Sequence, residues 1–504
     1  MKAKKNNPQQ SMSRRTFLTT TAKSAVGITV LPSHVISGLG HTSPSDKLNI
    51  AGIGIGGKGK ANLANMIGQN IVALCDVDWD YAAPVFRQYP GAEKYKDFRR
   101  MLDKQKDIDA CVIATPDHTH FHPAIKAMTM GKHVYLQKPL THSVWESRQL
   151  AEAAKKYKVA TQMGNEGHSN DNVRKIAEII WNGTIGEVRE AHAWSDRPIW
   201  PQGLEPPEKS MEVPDSLDWD LFIGPAADRP YHSDYHPWSW RAWWDFGTGA
   251  LGDMGCHILD TVFYALKLKY PTHAQASSTL VYKESAPNAS QVEYTFPPRS
   301  SMREVNFPEV KVTWHDGGLK PPRPDEMPPG ESMGAGGNLF IGTRGKLICD
   351  QYGVNYRLLP VDKEYSDPPE MVERIPDHSE KVGPWGKEGG RHEMDWVRAC
   401  KESPENRREA SSNFEYAGPL TEMVLMGNLA MRLQGLHKKL AWDGEKMEFK
   451  NIRPEETLQV VTSHEYKKVE GRPRFHTDHK TLDAYQSARE WVRHTYRNGW
   501  EWDR

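Results

Sequence analysis

The sequence predicts an α/β protein in two parts, a parallel sheet followed by a domain of alternating strands. In the first part, short apolar strands and helical segments follow one another in the βαβ order that builds a parallel sheet. A glycine-rich turn, Gly54 to Gly59, joins the first strand to the first helix. Beyond Tyr270 the pattern changes to short strands separated by turns. At 504 residues the chain exceeds one hydrophobic core, so two domains with extensions are expected.

The first 43 residues are interpreted as a twin-arginine export signal and its linker. A basic start precedes Arg14 and Arg15, and an apolar segment runs from Ala25 to Ile36. This layout predicts export to the periplasm through the twin-arginine machinery, with an uncleaved, membrane-tethered form as an alternative. A disordered basic tail is the competing interpretation.

The glycine-rich turn has the sequence context of a dinucleotide-binding site. An apolar strand from Lys47 to Ile53 precedes it, and a helical segment from Lys60 to Met66 follows it. Gly54 allows the tight turn, Gly56 lets the backbone approach the pyrophosphate, and Gly59 permits close packing of helix on strand. The helix N-terminus would face the phosphates. The candidate binding residues of the turn are Gly54, Gly56, Gly57, Lys58 and Gly59.

The identity of the dinucleotide is read from the end of the second strand. This strand, Ile71 to Cys75, ends at Asp76, 22 residues after Gly54. A carboxylate there would accept hydrogen bonds from the adenosine ribose and would repel a 2′-phosphate, so NAD is predicted. The dinucleotide domain is expected to span residues 44–165. A glycine-rich turn beside a surface aspartate is the alternative interpretation.

Two further strands bring more candidate residues to the same sheet edge. Thr115, Pro116 and His120 follow a strand from Asp109 to Ala114 and are expected near the nicotinamide. Lys138 follows a strand from His133 to Leu136, where open α/β sheets bind their ligands. We therefore expect Lys138 to meet the cofactor on one side and a substrate on the other.

Three alternating histidines follow the third strand. His118, His120 and His122 have a spacing that metal ligands also show, but the position favours loop and helix-start residues. The sequence therefore predicts no metal site.

The residues described so far resemble the Gfo/Idh/MocA family of oxidoreductases. The resemblance extends to Gly247–Asp260 and, more loosely, to about Leu433. Its motifs are the glycine turn, Cys75 to Asp78, Thr115-Pro116 with His120, Gly131 to Val134, and Lys138-Pro139. The family has Glu-Lys-Pro where this chain has Gln137-Lys138-Pro139, so the role of that acid in tuning the lysine is open here.

The resemblance implies both a fold and an activity. Family members have a Rossmann domain followed by an α/β domain with an open, mostly antiparallel sheet, which often forms an oligomer interface. Most members oxidise or reduce a hydroxyl of a sugar or cyclitol. We accordingly expect a substrate-binding and oligomerisation domain over residues 166–440 and a homo-oligomer through its sheet. Residues 441–504 form an extension in which no chemistry is recognised.

A second candidate site lies on a helix predicted from Asp253 to Leu266. Asp253 and His257 are four residues apart and share one helix face. An imidazole near an aspartate is a natural general base, since its ordinary pKa is about 6.5. From spacing alone, a helix N-cap and a semi-buried histidine are an equal alternative. The resemblance favours catalysis, since the family has its catalytic Asp and His at this position.

Candidate substrate contacts come from two other stretches. Asn165 and His168 lie in a polar turn and either face the substrate or are loop residues. Seven tryptophans crowd the chain between Trp194 and Trp244, and most of them are expected in the core. Aromatic faces also stack on sugar rings, so the three next to the Asp-His helix are expected nearest the substrate. These three are Trp240, Trp243 and Trp244.

Composition excludes several classes of protein. Lys+Arg and Asp+Glu number 65 each, which argues against nucleic-acid binding. No apolar run is long enough for a membrane span. The five cysteines lie far apart, so neither a disulfide framework nor a zinc cluster is indicated.

The sequence thus predicts hydride transfer between a sugar-like alcohol and NAD. His257 would take the hydroxyl proton, Asp253 would orient the imidazole, and Lys138 would stabilise the reacting oxygen. Since soluble NAD is not expected in the periplasm, an exported enzyme would hold it tightly. The resemblance also allows a redox-neutral glycosidase, which oxidises the ring transiently and eliminates the aglycone, or an oxidoreductase that pairs two sugars. A cofactor-free sugar-binding or structural protein is the non-enzymatic alternative.

Overall fold

The first part of the chain forms a six-stranded parallel sheet in the order β3-β2-β1-β4-β5-β6. In this computed structural model residues 46–302, 305–376 and 390–502 are described, so the predicted export signal lies outside them. From Leu48 onward the chain forms one unit, which holds every feature described below. The strands are β1 (Asn49–Ile53), β2 (Asn70–Cys75), β3 (Glu93–Tyr95), β4 (Ala110–Ile113), β5 (His133–Leu136) and β6 (Thr161–Met163).

Helices cover both faces of this sheet. Strand β4 shows the consequence, because Cys111 and Ile113 pack in one apolar cluster while Ala110 and Val112 pack in another. A strand buried on both faces in this way reads as a continuous apolar run. The helices of this part are α1 (Lys58–Asn65), α2 (Trp79–Gln88), α3 (Phe98–Lys104), α4 (Phe121–Thr129) and α5 (Val144–Tyr157).

The second part contains a nine-stranded sheet in the order β15-β14-β13-β7-β12-β9-β8-β16-β17. Its strands are β7 (Val188–Trp194), β8 (His273–Ser278), β9 (Ser290–Phe296), β12 (Val310–His315), β13 (Gly337–Gly342), β14 (Lys346–Asp350), β15 (Arg357–Leu359), β16 (Leu440–Asp443) and β17 (Glu448–Phe449). Neighbouring strands run antiparallel except for β7 and β12. The predicted fold class, a parallel sheet followed by an open, mostly antiparallel one, is confirmed.

Two shorter sheets and six helices complete the described chain. The small sheets pair β10 (Arg299–Met302) with β11 (Val305–Phe307) and β18 (Thr457–Val469) with β19 (Arg472–Asp483). The remaining helices are α6 (Asp171–Trp181), α7 (Trp219–Ile223), α8 (Gly249–Ala265), α9 (Arg391–Lys401), α10 (Phe414–Arg432) and α11 (Ala484–Val492). None of the helices in the described ranges is both long and apolar enough to span a membrane.

Helix α8 begins four residues earlier than predicted. Its cap position is Thr248, so Asp253 lies in the second turn and the N-cap interpretation of this aspartate is wrong. The N-terminus of α8 is fixed by α10, since the Asn428 side chain donates to the Thr248 carbonyl at 2.9 Å. Helix α10 thereby helps to position the face of α8 that carries Asp253 and His257.

Later parts of the chain return to pack on the parallel sheet. The Trp396 indole of α9 donates to the Ala160 carbonyl at 3.2 Å, just before β6. Beyond α11, the Tyr496 hydroxyl donates to Glu146 of α5 at 2.9 Å. The first sheet is therefore covered in part by segments more than two hundred residues away in sequence.

Candidate active site

A cavity of about 1080 Å³ follows the carboxyl edge of the parallel sheet. On the sheet side its wall consists of residues that follow the strands, namely Lys96 and Phe98 after β3, Asp76 after β2, Gly54 and Lys58 after β1, Thr115 and Pro116 after β4, and Gln137 and Lys138 after β5. Opposite them lie Asp253 and His257 of α8. The glycine turn therefore lies near the middle of one continuous cavity, with Lys138 towards one end.

The glycine turn has the geometry that its sequence predicts. Gly54 has a φ of +75°, and a Cβ there would lie 2.7 Å from the Thr115 nitrogen. A Cβ on Gly59 would collide with the Gly54 carbonyl, so α1 packs closely on the turn. A Cβ on Gly56 would collide with the Tyr81 ring. These tight positions fit a turn that brings backbone and a helix N-terminus to a phosphate group.

Asp76 lies in the cavity wall and is bonded to the glycine turn. Its Oδ2 accepts from the backbone nitrogens of Ile55 at 2.8 Å and Gly56 at 3.0 Å, and its Oδ1 accepts from that of Asp78. Burial raises the pKa of Asp76, against the lowering effect of these hydrogen bonds. A carboxylate has about four acceptor positions, so the predicted ribose contacts remain open to it.

Lys138 has an acidic partner in Asp253. Its Nζ donates to Asp253 Oδ1 at 2.8 Å and to the Asp253 carbonyl at 2.7 Å. Arg241 Nε reaches the same Oδ1 at 3.2 Å. Burial by itself would raise the pKa of Asp253, but the charges of Lys138 and Arg241 hold it below its ordinary value. Asp253 thus supplies the negative charge that Gln137 lacks.

Gln137 belongs to a different network. Its Nε2 donates to Asn62 Oδ1 at 2.9 Å, and Asn62 Nδ2 donates to Glu393 at 2.9 Å and Glu166 at 3.1 Å. Burial and the charge of Glu166 raise the pKa of Glu393 to about 7. Glu166 also forms an ion pair with Lys58 at 2.7 Å. The residue before Lys138 therefore links the lysine strand to α1 and α9.

His257 lies in the cavity wall as a neutral imidazole. Burial, followed by the charge of Lys138, lowers its pKa to about 3. Its Nδ1 is buried without a hydrogen-bond partner among the described residues. Nε2 is therefore the ring nitrogen that can exchange a proton with a ligand in the cavity. The prediction that Asp253 orients this imidazole is not met, because the hydrogen bonds of Asp253 go to Lys138 and Arg241. The compact lysine and arginine cations outcompete a neutral ring for the buried carboxylate.

Asn165 and His168 do not face the cavity. His168 is 2 % exposed, and both side chains bond to Asp260, Asn165 at 3.1 Å and His168 at 2.9 Å. The Tyr416 hydroxyl donates to the same carboxylate at 2.7 Å. A buried carboxylate requires such donors, so their role is structural and the substrate prediction is corrected. Their neighbours Glu166, Gly167 and Asn170 line the cavity instead.

Of the three tryptophans predicted near the substrate, Trp240 alone lines the cavity. Trp243 is 1 % exposed, and its indole donates to the Asp234 carbonyl at 2.9 Å. Trp244 is buried 5.2 Å from the Arg432 guanidinium. Both are core residues, which corrects the prediction, because a bulky apolar ring next to a helix start is stabilised by burial.

Sequence reasoning missed Trp238 and Arg241. Trp238 lines the cavity with 49 % of its surface exposed. The Arg241 guanidinium lies 4.4 Å from the Trp238 ring and 4.2 Å from the Trp240 ring. The one available signal was an arginine directly beside a run of tryptophans, since guanidinium groups stack on indoles.

The three alternating histidines bond to backbone carbonyls. His120 is fully buried and lies between the carbonyls of Pro139 at 2.8 Å and Thr115 at 2.9 Å. It joins the segments after β4 and β5 and does not line the cavity, so the prediction of a cofactor contact is corrected. His118 and His122 bond to the carbonyls of Phe222 and Trp500. Within the described ranges, no group of three or more acidic, histidine or cysteine side chains is arranged to hold a metal.

Asp117 is a cavity residue that the sequence did not single out. Its Oδ2 accepts from the Thr248 hydroxyl at 2.6 Å. Burial raises the pKa of Asp117 to about 7, although Thr248 and Lys138 act to lower it. Its carboxyl group therefore binds a proton more readily than an exposed aspartate does.

Two family models match the chain. GFO_IDH_MocA, described as an oxidoreductase family with an NAD-binding Rossmann fold, matches residues 47–165. GFO_IDH_MocA_C2, described as the C-terminal alpha/beta domain of the oxidoreductase family, matches residues 171–297.

Curated relatives include a Glycosyl hydrolase family 109 protein of Shewanella pealeana, 28% identical over 212 residues, or 36% of this chain and 45% of the relative. An inositol 2-dehydrogenase of Rhodococcus jostii is 30% identical over 182 residues, 35% of this chain and 48% of the relative. The chain thus spans less than half the length of these two relatives.

Solved structures share the fold. The WlbA dehydrogenase of Bordetella pertussis, in complex with NADH and UDP-GlcNAcA, aligns with a TM-score of 0.52 at 15% identity. The alignment covers 79% of this chain and 99% of that one. At this identity the likeness concerns the fold alone.

Proposed function

Through residues 47–165 and 171–297 the chain belongs to the Gfo/Idh/MocA oxidoreductase family, and from this premise we propose that it is an NAD-dependent oxidoreductase. Its substrate is a sugar, cyclitol or sugar derivative, which it oxidises or reduces at a hydroxyl group. The observation that carries the proposal is the single cavity that joins the glycine turn to Lys138, Asp253 and His257. The inositol dehydrogenase relative supports the substrate class.

The residues of the cavity suit NAD. The glycine turn with the start of α1 would hold the pyrophosphate, and Asp76 would accept from the ribose hydroxyls. Thr115, Pro116 and Lys138 follow β4 and β5 and would border the nicotinamide end. NAD, when bound, supplies the acceptor or donor of the hydride.

The residues around Lys138 provide the proton and charge chemistry. The Lys138 ammonium, held by Asp253, would donate to the reacting oxygen and stabilise negative charge on it. His257 is neutral, so its Nε2 can accept a hydrogen bond from the substrate hydroxyl. It is the proposed acceptor of that proton, although its pKa of about 3 makes it a weak base. No described residue donates to Asp253 Oδ2, which leaves that oxygen to accept from a substrate hydroxyl. Trp238 and Trp240 offer aromatic faces to a ring.

The test uses the purified protein without added cofactor. Mass spectrometry shows whether NAD(H) is retained, and the protein is then incubated with NAD and a panel of sugars, cyclitols and aryl glycosides. The proposal expects net NADH with at least one polyol. Absence of both NAD binding and turnover would contradict it.

A redox-neutral NAD-dependent glycosidase is the second candidate. The similarity to a Glycosyl hydrolase family 109 protein favours it. In that case the same residues would support ring oxidation, elimination of the aglycone and re-reduction within one cycle. Aglycone release without net NADH selects this function over the dehydrogenase.

Export and tight cofactor retention belong to the same proposal. Arg14 and Arg15 support transport through the twin-arginine route to the periplasm, where a freely dissociating NAD would not be replaced. Replacing both arginines with lysine should leave the protein in the cytoplasm. Fractionation of cells checks this, and unchanged periplasmic recovery would refute export by this route.

A homo-oligomer through the nine-stranded sheet completes the proposal. The family resemblance supports it, since the open sheet of family members often forms an oligomer interface. Light scattering during size-exclusion chromatography measures the molecular mass. A monomer at all concentrations tested would refute it.

A further inference from the structure

The cavity has a second end, opposite Lys138, which the proposed chemistry does not use. It lies beyond Asp76, on the β3 side of the sheet, and its wall includes Lys96, Phe98 and Pro123. In a dinucleotide-binding sheet the carboxylate after β2 meets the adenosine ribose, so the base must lie further along the edge. On the proposed function, this end receives the adenine of NAD.

A segment from the far end of the sequence closes this part of the cavity. Trp500 lines the cavity although only 6 % of its surface is exposed. We call residues 494–502, which carry it, the C-terminal strap. Trp500 lies next to Phe98, so the strap forms part of this wall.

The strap is attached at three points, two on the first domain and one on the second. The Tyr496 hydroxyl donates to Glu146 of α5, and the Trp500 carbonyl lies 2.8 Å from His122 Nε2 of α4. Arg497 pairs with Asp220 at 2.6 Å and with Asp228 at 2.7 Å. These anchors hold Trp500 in place before any ligand binds, so little side-chain entropy is lost on binding.

The Trp500 ring is also held from the side of α3. The Arg99 guanidinium lies 4.5 Å from its centre, and Arg99 in turn pairs with Asp97 at 3.0 Å. The Phe98 and Trp500 rings are 6.0 Å apart and tilted by 47°. The result is a preformed aromatic corner next to Asp76.

We propose that Trp500 and Phe98 form the binding wall for the adenine base of NAD, and that the strap slows release of the cofactor. Aromatic side chains stack on bases of any sequence because every base has a π-face. The strap thus gives the proposed periplasmic enzyme a means of retaining its cofactor. The inference rests on the proposed function for the identity of the ligand.

The test measures binding of NAD to full-length variants by titration calorimetry and its release by stopped flow. Trp500→Ala should weaken NAD affinity roughly 5- to 150-fold, the range expected for loss of one base–aromatic contact. Trp502→Ala is the matched control, since Trp502 packs on Phe121 and is not in the cavity wall. It should leave NAD affinity unchanged.

Two variants with larger side chains than alanine keep the test decisive if Trp500→Ala does not fold. Trp500→Phe should retain most of the affinity, while Trp500→Leu, which has no π-face, should lose it. AMP and ADP-ribose should show the same loss as NAD, whereas nicotinamide mononucleotide should not. Wild-type affinity for NAD in Trp500→Leu, or an equal loss of affinity for AMP and for nicotinamide mononucleotide, overturns the inference. Failure of the wild type to bind NAD would instead overturn the proposed function.

Discussion

Two cations share one carboxylate oxygen at the centre of the site. Lys138 and Arg241 both bond to Asp253 Oδ1, in a wall where each of the three side chains is mostly buried. Removing one member of a buried ion pair leaves the other charge uncompensated. Lys138 thus has its acidic partner 115 positions away in sequence.

Replacing Lys138 with methionine should cost about 10²-fold or more in kcat, because the reacting oxygen loses its charged donor. NAD affinity should change little, since the glycine turn and Asp76 are intact. Steady-state kinetics and calorimetry measure the two effects. Lys132→Met, at the opposite end of β5, is the control and should keep wild-type kcat. Unchanged turnover in Lys138→Met would contradict the assignment.

At the scale of elements, the site depends on the crossing of α8 and α10. The crossing is close because Gly427 of α10 leaves room for Leu251 of α8 and for the buried Tyr294 hydroxyl. Asp253 and His257 follow Leu251 within two turns of α8. A displacement of this crossing would therefore move both candidate catalytic residues.

Gly427→Ala should lower the free energy of unfolding by about 1–3 kcal/mol, because a Cβ there collides with two buried side chains. Urea denaturation measures the change. Gly418→Ala in the same helix is the control, since a Cβ there meets Ser147 O at 3.5 Å, an ordinary contact. Its effect should stay within about 1 kcal/mol. Equal stability of the two variants would contradict the packing argument.

At the scale of the whole molecule, many histidines are buried as neutral rings. Burial lowers the pKa to about 4 at His118, His120, His122, His133, His315, His392 and His494. Each of these histidines binds a proton more readily in the unfolded chain. Four carboxyl groups with a strongly raised pKa act in the opposite sense, because burial raises the pKa of Asp117, Glu146 and Glu393 to about 7 and that of Asp316 to about 6.

The protein should therefore lose stability as the pH falls from about 6.5 towards 4, the interval between the unfolded and folded pKa values of these histidines. The carboxyl groups favour the folded state at the lower pH of this interval, but they are fewer. The melting temperature, measured in steps of about one pH unit from about pH 7.5 to about pH 4.5, shows the trend. A melting temperature that rises on acidification would refute it.

The sequence by itself determined strands β1, β2, β4 and β5 of the first sheet, the glycine turn and the position of Lys138, but not the short edge strand β3. These features depend on local patterns, namely apolar runs of four to six residues, glycines that the turn requires, and the rule that ligands bind at the carboxyl ends of parallel strands. Strand β5, for example, has the bounds that were predicted.

Only the tertiary structure decided which polar residues face the cavity and which pair in the core. Asn165 and His168 bond to Asp260, more than ninety residues away, and Lys138 bonds to Asp253. Trp500 reaches a sheet edge formed four hundred residues earlier. Such contacts leave no periodic trace in the sequence, because the partner of a buried charge or ring is set by how distant elements pack.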